Sequence, residues 1–198
     1  MSVDLLQVLN TKGSVSFEVQ AHIASILKHQ SLRKKEFILK PGQINERMVF
    51  IQQGLMRAYK IKNGVEMGSW FKSEGEFIVS VSSFYRQKPS IEYIQALEPT
   101  EILYVSRQEI YDIYRKYTDF ALTALFLTID VLVEWDERLD VLNGTRAEER
   151  YHWLVKNRPD LLERVNAKYI AGFLGITPKT YSKVRSMQYK EWQFEKAS

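Results

Sequence analysis

The 198-residue sequence contains no cysteine. That removes disulfides, thiol catalysis and cysteine-bound iron–sulfur clusters, and it suits a reducing cytosol. Histidine is almost as scarce, with His22, His29 and His152 scattered along the chain. His22 and His29 stand seven apart on one expected amphipathic helix, a spacing that reads as solvated side chains rather than a metal or haem pair. No long hydrophobic run is present either. The most apolar stretch, Phe120 to Val133, is interrupted by Thr123, Thr128 and Asp130 and falls short of the roughly 20 residues that span a bilayer. The start, MSVDLLQVLN, lacks the basic and apolar regions of a signal peptide. A membrane role is therefore not expected, and the sequence shows no internal repeat and no low-complexity segment.

What is present is an ordinary globular balance, 45% hydrophobic and 26% charged, with basic charge concentrated at one end. The net charge is +4, yet residues 1–143 carry 17 Lys/Arg against 18 Asp/Glu, and residues 144–198 carry 11 against 6. Such asymmetry fits a neutral sensor joined to a nucleic-acid-binding part.

The basic end holds the most informative stretch, NAKYIAGFLGITPKTYSKVRS at 166–186. Ala167, Tyr169, Ile170, Ala171, Phe173 and Leu174 recur at helical spacing. Gly175 suits a left-handed helix end, and Ile176 plugs the corner. Thr177 offers an N-cap hydroxyl, with Pro178 at the first helical position. Beyond it Thr180, Tyr181 and Val184 point inward while Lys179, Ser182, Lys183 and Arg185 point out. Two short helices joined this way make a helix-turn-helix, whose second helix enters a DNA major groove. From Arg164 to Ser186 there are five basic residues and no acidic one, as a phosphate-facing surface requires.

Upstream, residues 15–30 read as an amphipathic helix with Phe17, Ile23, Ile26 and Leu27 inward. Short alternating runs follow: 32–39, 48–53, 55–61, 65–71, 77–80, 92–97 and 102–105. Turn signals stand at Pro41-Gly42 and Asn63-Gly64, the latter a strong hairpin signal. About seven such strands predict a sandwich, jelly roll or barrel. The period then changes to a helix over 107–117, with Ile110, Ile113 and Tyr114 inward, and a longer helix over 119–143. Twelve of the sixteen residues in Phe120–Trp135 are apolar, so this helix must be covered on more than one side. Leu122, Leu125, Ile129, Leu132 and Leu139 form a 3-4 stripe with Asp136 in its gap, as in a two-stranded coiled coil. A second stripe of Phe120, Ala124, Leu127, Val131 and Trp135 suits packing on the β domain. A central core helix within one monomer satisfies the same pattern. Asn143-Gly144 is the linker candidate, and Thr145 to Glu148 has capping-box spacing for a helix with Tyr151, Leu154 and Val155 inward.

A β-roll, a long apolar helix and a C-terminal helix-turn-helix together resemble the Crp–Fnr family of bacterial transcription regulators. The likeness rests on FIQQGLMRAYKI at Phe50–Ile61, GEFI at Gly75–Ile78, RAEERYHWL at Arg146–Leu154 and KYIAGFLGITPKTYSKVR at Lys168–Arg185. It implies an α+β chain: an N-terminal double-stranded β-helix (jelly-roll-like) sensor domain at 1–118, a dimerisation helix at 119–143 and a winged helix-turn-helix domain at 144–198. It further implies a cytoplasmic, non-enzymatic homodimer on a pseudo-palindromic site in double-stranded DNA, with RNA polymerase as a further partner. The interface would be Leu122, Leu125, Ile129, Leu132, Asp136 and Leu139. DNA contacts would come from Lys168, Thr177, Pro178, Lys179, Thr180, Ser182, Lys183 and Arg185, with Pro178 serving helix initiation and Tyr181 packing.

Relatives that use cyclic AMP carry a Gly-Glu pair for the ribose and an Arg-Ser/Thr-Ala sequence for the phosphate. Here Gly75-Glu76 is present, but the later stretch reads Lys88-Pro89-Ser90-Ile91-Glu92. The effector-pocket candidates are therefore Gly75, Glu76, Arg86, Lys88, Ser90 and Glu92, with Arg86 and Lys88 as substitutes for the missing arginine. Losing a bidentate, charge-assisted partner removes on the order of 1.5–3 kcal/mol, and Glu92 adds negative charge. The pattern argues against cyclic AMP and for another small-molecule effector or none; no metal or cofactor is expected. A cupin-like small-molecule-binding protein is the alternative, but no histidine falls between Leu32 and Val105 to build its metal site. A protein-interaction scaffold without DNA binding is another.

Overall fold

A computed structural model describes residues 3–197, with side chains through residue 187. The chain forms two compact units. One runs up to Lys60 and includes Trp70–Leu132; the other joins Ile61–Ser69 to the chain from Val133 onward.

The first unit opens with two helices, α1 (Leu5–Asn10) and α2 (Phe17–Ile26). Eight strands follow: β1 (Lys28–Leu32), β2 (Phe37–Leu39), β3 (Arg47–Gln53), β4 (Met56–Lys62), β5 (Val65–Lys72), β6 (Phe77–Ile78), β7 (Tyr93–Ala96) and β8 (Thr100–Ser106). They make two four-stranded sheets, ordered β1-β8-β3-β6 and β2-β7-β4-β5. Of the sandwich, jelly roll or barrel that the alternating runs allow, this is the jelly-roll-like one that the resemblance implies. Between the sheets lie Val49, Ile51, Met56, Ala58, Trp70, Ile78, Ile94 and Ile102, all buried. Asn63 and Gly64 both take positive φ between β4 and β5, as a two-residue hairpin turn requires. A short helix that the alternating pattern concealed, α3 (Val81–Arg86), separates β6 from β7.

A second core lies outside the roll, where Leu5, Leu9, Val19 and Ile23 meet Phe50, Phe84, Ile110, Ile113 and Phe120. Here α4 (Arg107–Lys116) begins with a capping box in which the Ser106 hydroxyl and Glu109 carboxylate serve each other's backbone N–H groups.

Two expectations for this region need correction. The helix expected over 15–30, α2, ends at Ile26 rather than near residue 30, because pairing of β1 with β8, from Lys28↔Tyr104 to Leu32↔Thr100, takes over. His29 is therefore on a strand, 2.8 Å from Glu101, and shares no helix with His22. Phe17 is 86% exposed rather than inward. It sits at the first helical position, about half a turn from the face that buries Val19 and Ile23.

The long helix α5 spans Thr118–Gly144 and contributes to both units. Its interrupting residues are locally satisfied: Thr123 and Thr128 hydroxyls donate to the carbonyls of Asp119 and Ala124, and Asp130 pairs with Lys12 at 2.6 Å. Phe120 and Thr123 are buried and Leu127 packs on the second core. Val131 and Trp135, expected on the same covered stripe, are 40% and 45% exposed. Asn143-Gly144 does not break the helix; the connection is Thr145-Arg146. Thr145 does not cap the next helix, since its hydroxyl turns back to the Val141 carbonyl. The cap is one residue later, where Glu149 accepts the Arg146 N–H at 2.7 Å.

The second unit adds four helices: α6 (Ala147–Asn157), α7 (Asp160–Arg164), α8 (Ala167–Phe173) and α9 (Pro178–Ala197). Tyr151, Leu154, Leu161, Val165, Ile170, Ala171, Phe173, Leu174, Tyr181 and Val184 are buried, whereas Ala167, expected inward, is exposed at the first position of α8. Among the described residues no strand follows β8, so the wing expected beside the helix-turn-helix is not formed there. Nor is any described helix long and apolar enough to cross a membrane.

Candidate nucleic-acid interface and β-roll cassette

The helix-turn-helix is built from α8, a tight turn and α9. The Asn166 side chain caps α8 by accepting the Lys168 N–H at 2.9 Å. Gly175 takes φ +64, Ile176 N–H reaches the Ala171 carbonyl at 3.0 Å and Gly175 N–H the Gly172 carbonyl at 3.4 Å. These are the paired bonds of a Schellman ending. Arg150 reinforces the corner, donating to the carbonyls of Leu174 and Thr145, each at 3.1 Å. Thr177 then caps α9, its hydroxyl accepting the Thr180 N–H at 3.1 Å.

Tyr181 and Val184 anchor α9, and Tyr181 meets Tyr151 edge-on at 5.6 Å. A helix that buries those two positions turns 179, 182, 183 and 186 the opposite way, at spacings of three, four and seven. Lys179, Ser182, Lys183 and Ser186 are all exposed there, flanked by Pro178 and Arg185, with Lys168 exposed on α8. Among the described residues, Lys168, Lys179, Lys183 and Arg185 have no acidic partner, whereas Arg158 is held by Asp160 at 3.1 Å. The hydroxyls are less available. Thr180 is half-buried with its hydroxyl 2.8 Å from that of Thr177, and Ser182 donates to the Pro178 carbonyl at 3.0 Å. Among the described residues, the ammonium groups of Lys168, Lys179 and Lys183 and the Arg185 guanidinium are the donors this surface leaves without an acidic partner.

In the β-roll the six effector-pocket candidates do not converge. Glu76 turns to Lys72, at 2.9 Å, and accepts the Ser73 N–H and hydroxyl at 2.8 and 3.0 Å. These contacts close the turn before β6. Arg86 and Lys88 point to solvent. Ser90 and Glu92 do come together, and their partner is Ser80, the N-cap position of α3. The Ser80 hydroxyl lies 3.1 Å from that of Ser90 and donates to Glu92 at 2.7 Å. The Glu92 N–H returns to the Ser90 hydroxyl at 2.9 Å. Asn45 ties the other side, accepting the Ser80 N–H at 2.9 Å while its own N–H reaches Ser83. Sequence reading missed Ser80, Ser83 and Asn45, because isolated serines carry no motif; only the fold juxtaposes them. A cavity of about 140 Å³ opens beside Asn45, Gln43 and Arg47, and none of the six candidates lines it. No described cluster of three His, Cys, Asp or Glu side chains could hold a metal ion.

Residues 29–117, which include the β-roll, match the model of the cyclic nucleotide-binding domain family. Across most of the chain, the fold is similar to that of several solved bacterial proteins. A CooA mutant from Carboxydothermus hydrogenoformans is similar over 96% of this chain and 86% of its own, at 22% identity and TM-score 0.70. FixK2 from Bradyrhizobium japonicum is similar over 84% and 86%, at 18% identity and TM-score 0.69. A regulator from Eubacterium rectale assigned to the Crp/Fnr family is similar over 89% and 85%, at 14% identity and TM-score 0.69. At such identities the likeness is one of fold. No curated protein matches the chain.

Proposed function

We propose that the protein is a cytoplasmic DNA-binding transcription regulator, not an enzyme, acting as a homodimer on a pseudo-palindromic promoter site, with RNA polymerase as a further partner. The observation that carries this reading is the exposed row Lys179, Ser182, Lys183 and Ser186 on the face of α9 opposite buried Tyr181 and Val184. Its ammonium groups lack carboxylate partners among the described residues, and a lysine in a major groove donates to guanine O6 and N7. Lys168 and Arg185 add phosphate contacts, and Pro178 and Thr177 set the start of the helix.

The dimer reading is supported by α5. Leu122, Leu125, Ile129, Leu132 and Leu139 are between 41% and 66% exposed, and Asp136 is exposed in the same 3-4 register. A row of large apolar side chains at this spacing is the seam of a two-stranded coiled coil, and a second copy supplies the same row. Two recognition helices related by that two-fold meet half-sites about 34 Å apart.

The β-roll, on this reading, responds to a small molecule other than cyclic AMP or serves as scaffold. The Ser80–Ser90–Glu92 network carries a carboxylate rather than a guanidinium, which disfavours a phosphate. The test is selection of bound sequences from a random pool of duplex DNA, with and without cyclic AMP. The expected result is enrichment of one pseudo-palindromic sequence, equal in both arms. No enrichment in either arm overturns DNA binding; enrichment only with cyclic AMP overturns the reading of the β-roll.

A further inference from the structure

Arg138 lies on α5 within the compact unit that also holds the β4–β5 tip, Ile61–Ser69, and the helix-turn-helix. Its Nη2 donates to two carbonyls far apart in sequence: that of Gly68 on β5 at 2.9 Å and that of Phe173, the last residue of α8, at 3.0 Å. The guanidinium also lies over the Phe173 ring, 3.6 Å from its centroid. The Phe173 carbonyl is among those a helix leaves without an internal partner, and a cation there complements the negative end of the helix. Burial lowers the Arg138 pKa only to about 10, so the charge persists at neutral pH.

The two backbones that Arg138 bridges approach closely. A Cβ at Gly172 would stand 2.7 Å from the Glu66 carbonyl oxygen, and one at Gly68 would stand 3.1 Å from the Phe173 Cα. Both are backbone atoms, which cannot swing aside as a long side chain would. A glycine on each surface is what lets strand and helix meet.

We infer that the nucleic-acid-binding unit is discontinuous in sequence: the β4–β5 tip is an integral part of it, and Arg138 is the positioning residue that pins that tip to the end of α8. Because α8 passes through the Gly175 turn into α9, the joint fixes the presentation of Lys179 and Lys183. The functional consequence rests on the DNA-binding reading; the joint itself does not.

The test uses the full chain with Arg138→Ala, Arg138→Lys, Gly172→Ala and the double variant Arg138→Ala/Gly172→Ala. Amide hydrogen exchange is followed over 61–69, 93–106 and 167–176, and affinity is measured for the duplex selected by the parent protein. Arg138→Ala and Gly172→Ala are each expected to speed exchange about ten-fold in both 61–69 and 167–176, leaving 93–106 unchanged, and to weaken duplex binding about ten-fold. The double variant is expected to bind no worse than the weaker single, since one joint is broken either way. Arg138→Lys, which keeps charge and donors, recovers most of the affinity. Faster exchange confined to one of the two segments, additive losses, or a lysine variant as weak as alanine each overturn the proposal. A parent that binds no duplex refutes the regulator reading, while the exchange experiment still decides the joint.

Discussion

The Ser80 hydroxyl donates to the Glu92 carboxylate at 2.7 Å, joining the start of α3 to the start of β7 through side chains. Ser90 lies between them, 5% exposed, accepting the Glu92 N–H and donating to its carbonyl. Replacing Ser90 with alanine strands these groups out of reach of water. The expected cost is about 1–3 kcal/mol of stability, measured by urea unfolding. A loss indistinguishable from zero would mean that the network is not closed in solution.

Acid should weaken the contact between Lys28 and α4. Hydrogen bonding from Lys28, then from Ser106, holds the Glu109 carboxyl down to about 2 from its ordinary 4.5. A carboxyl with a depressed folded pKa contributes stability fully above its unfolded pKa, and loses it as pH falls through the folded value. Between pH 4.5 and 2, therefore, the parent should lose thermal stability more steeply than Glu109→Gln, each measured against its own melting temperature at neutral pH. Parallel profiles would contradict the assignment.

The α5 stripe makes a prediction about assembly. Replacing both Leu125 and Leu132, 50% and 66% exposed, with glutamate places like charges across the proposed seam without disturbing a monomer core. Sedimentation should report monomers with unchanged secondary structure. A variant that stays dimeric would move the interface elsewhere.

Much of this was legible in the residues, and unevenly so. The helix-turn-helix was readable because its signals are local: the helical spacing from Ala167 to Leu174, Gly175 at the left-handed end, Thr177-Pro178 as the next start. Asn63-Gly64 marked its hairpin for the same reason. Helix ends and long-range pairings were read less well. Phe17 looked inward by composition, but the helix begins there and turns it to solvent. The end of α2 was hidden because strand pairing with β8, about seventy residues away, overrides local periodicity. Gly75-Glu76 matches a ligand-pair motif, and here Glu76 pairs with Lys72, four residues before it. Ser80, Asn45 and Arg138 were invisible, since nothing near them in sequence announces their partners.

The most direct test of the central claim is the salt dependence of binding to the selected duplex, for the parent and for Lys179→Ala/Lys183→Ala. Counterion release predicts that parent affinity falls steeply with salt, with a log–log slope of about −0.9 per phosphate neutralised. The double variant should lose preference for that duplex over a scrambled one, and its slope should be shallower by up to about two units. Equal affinity and equal slope for the two proteins would contradict the account.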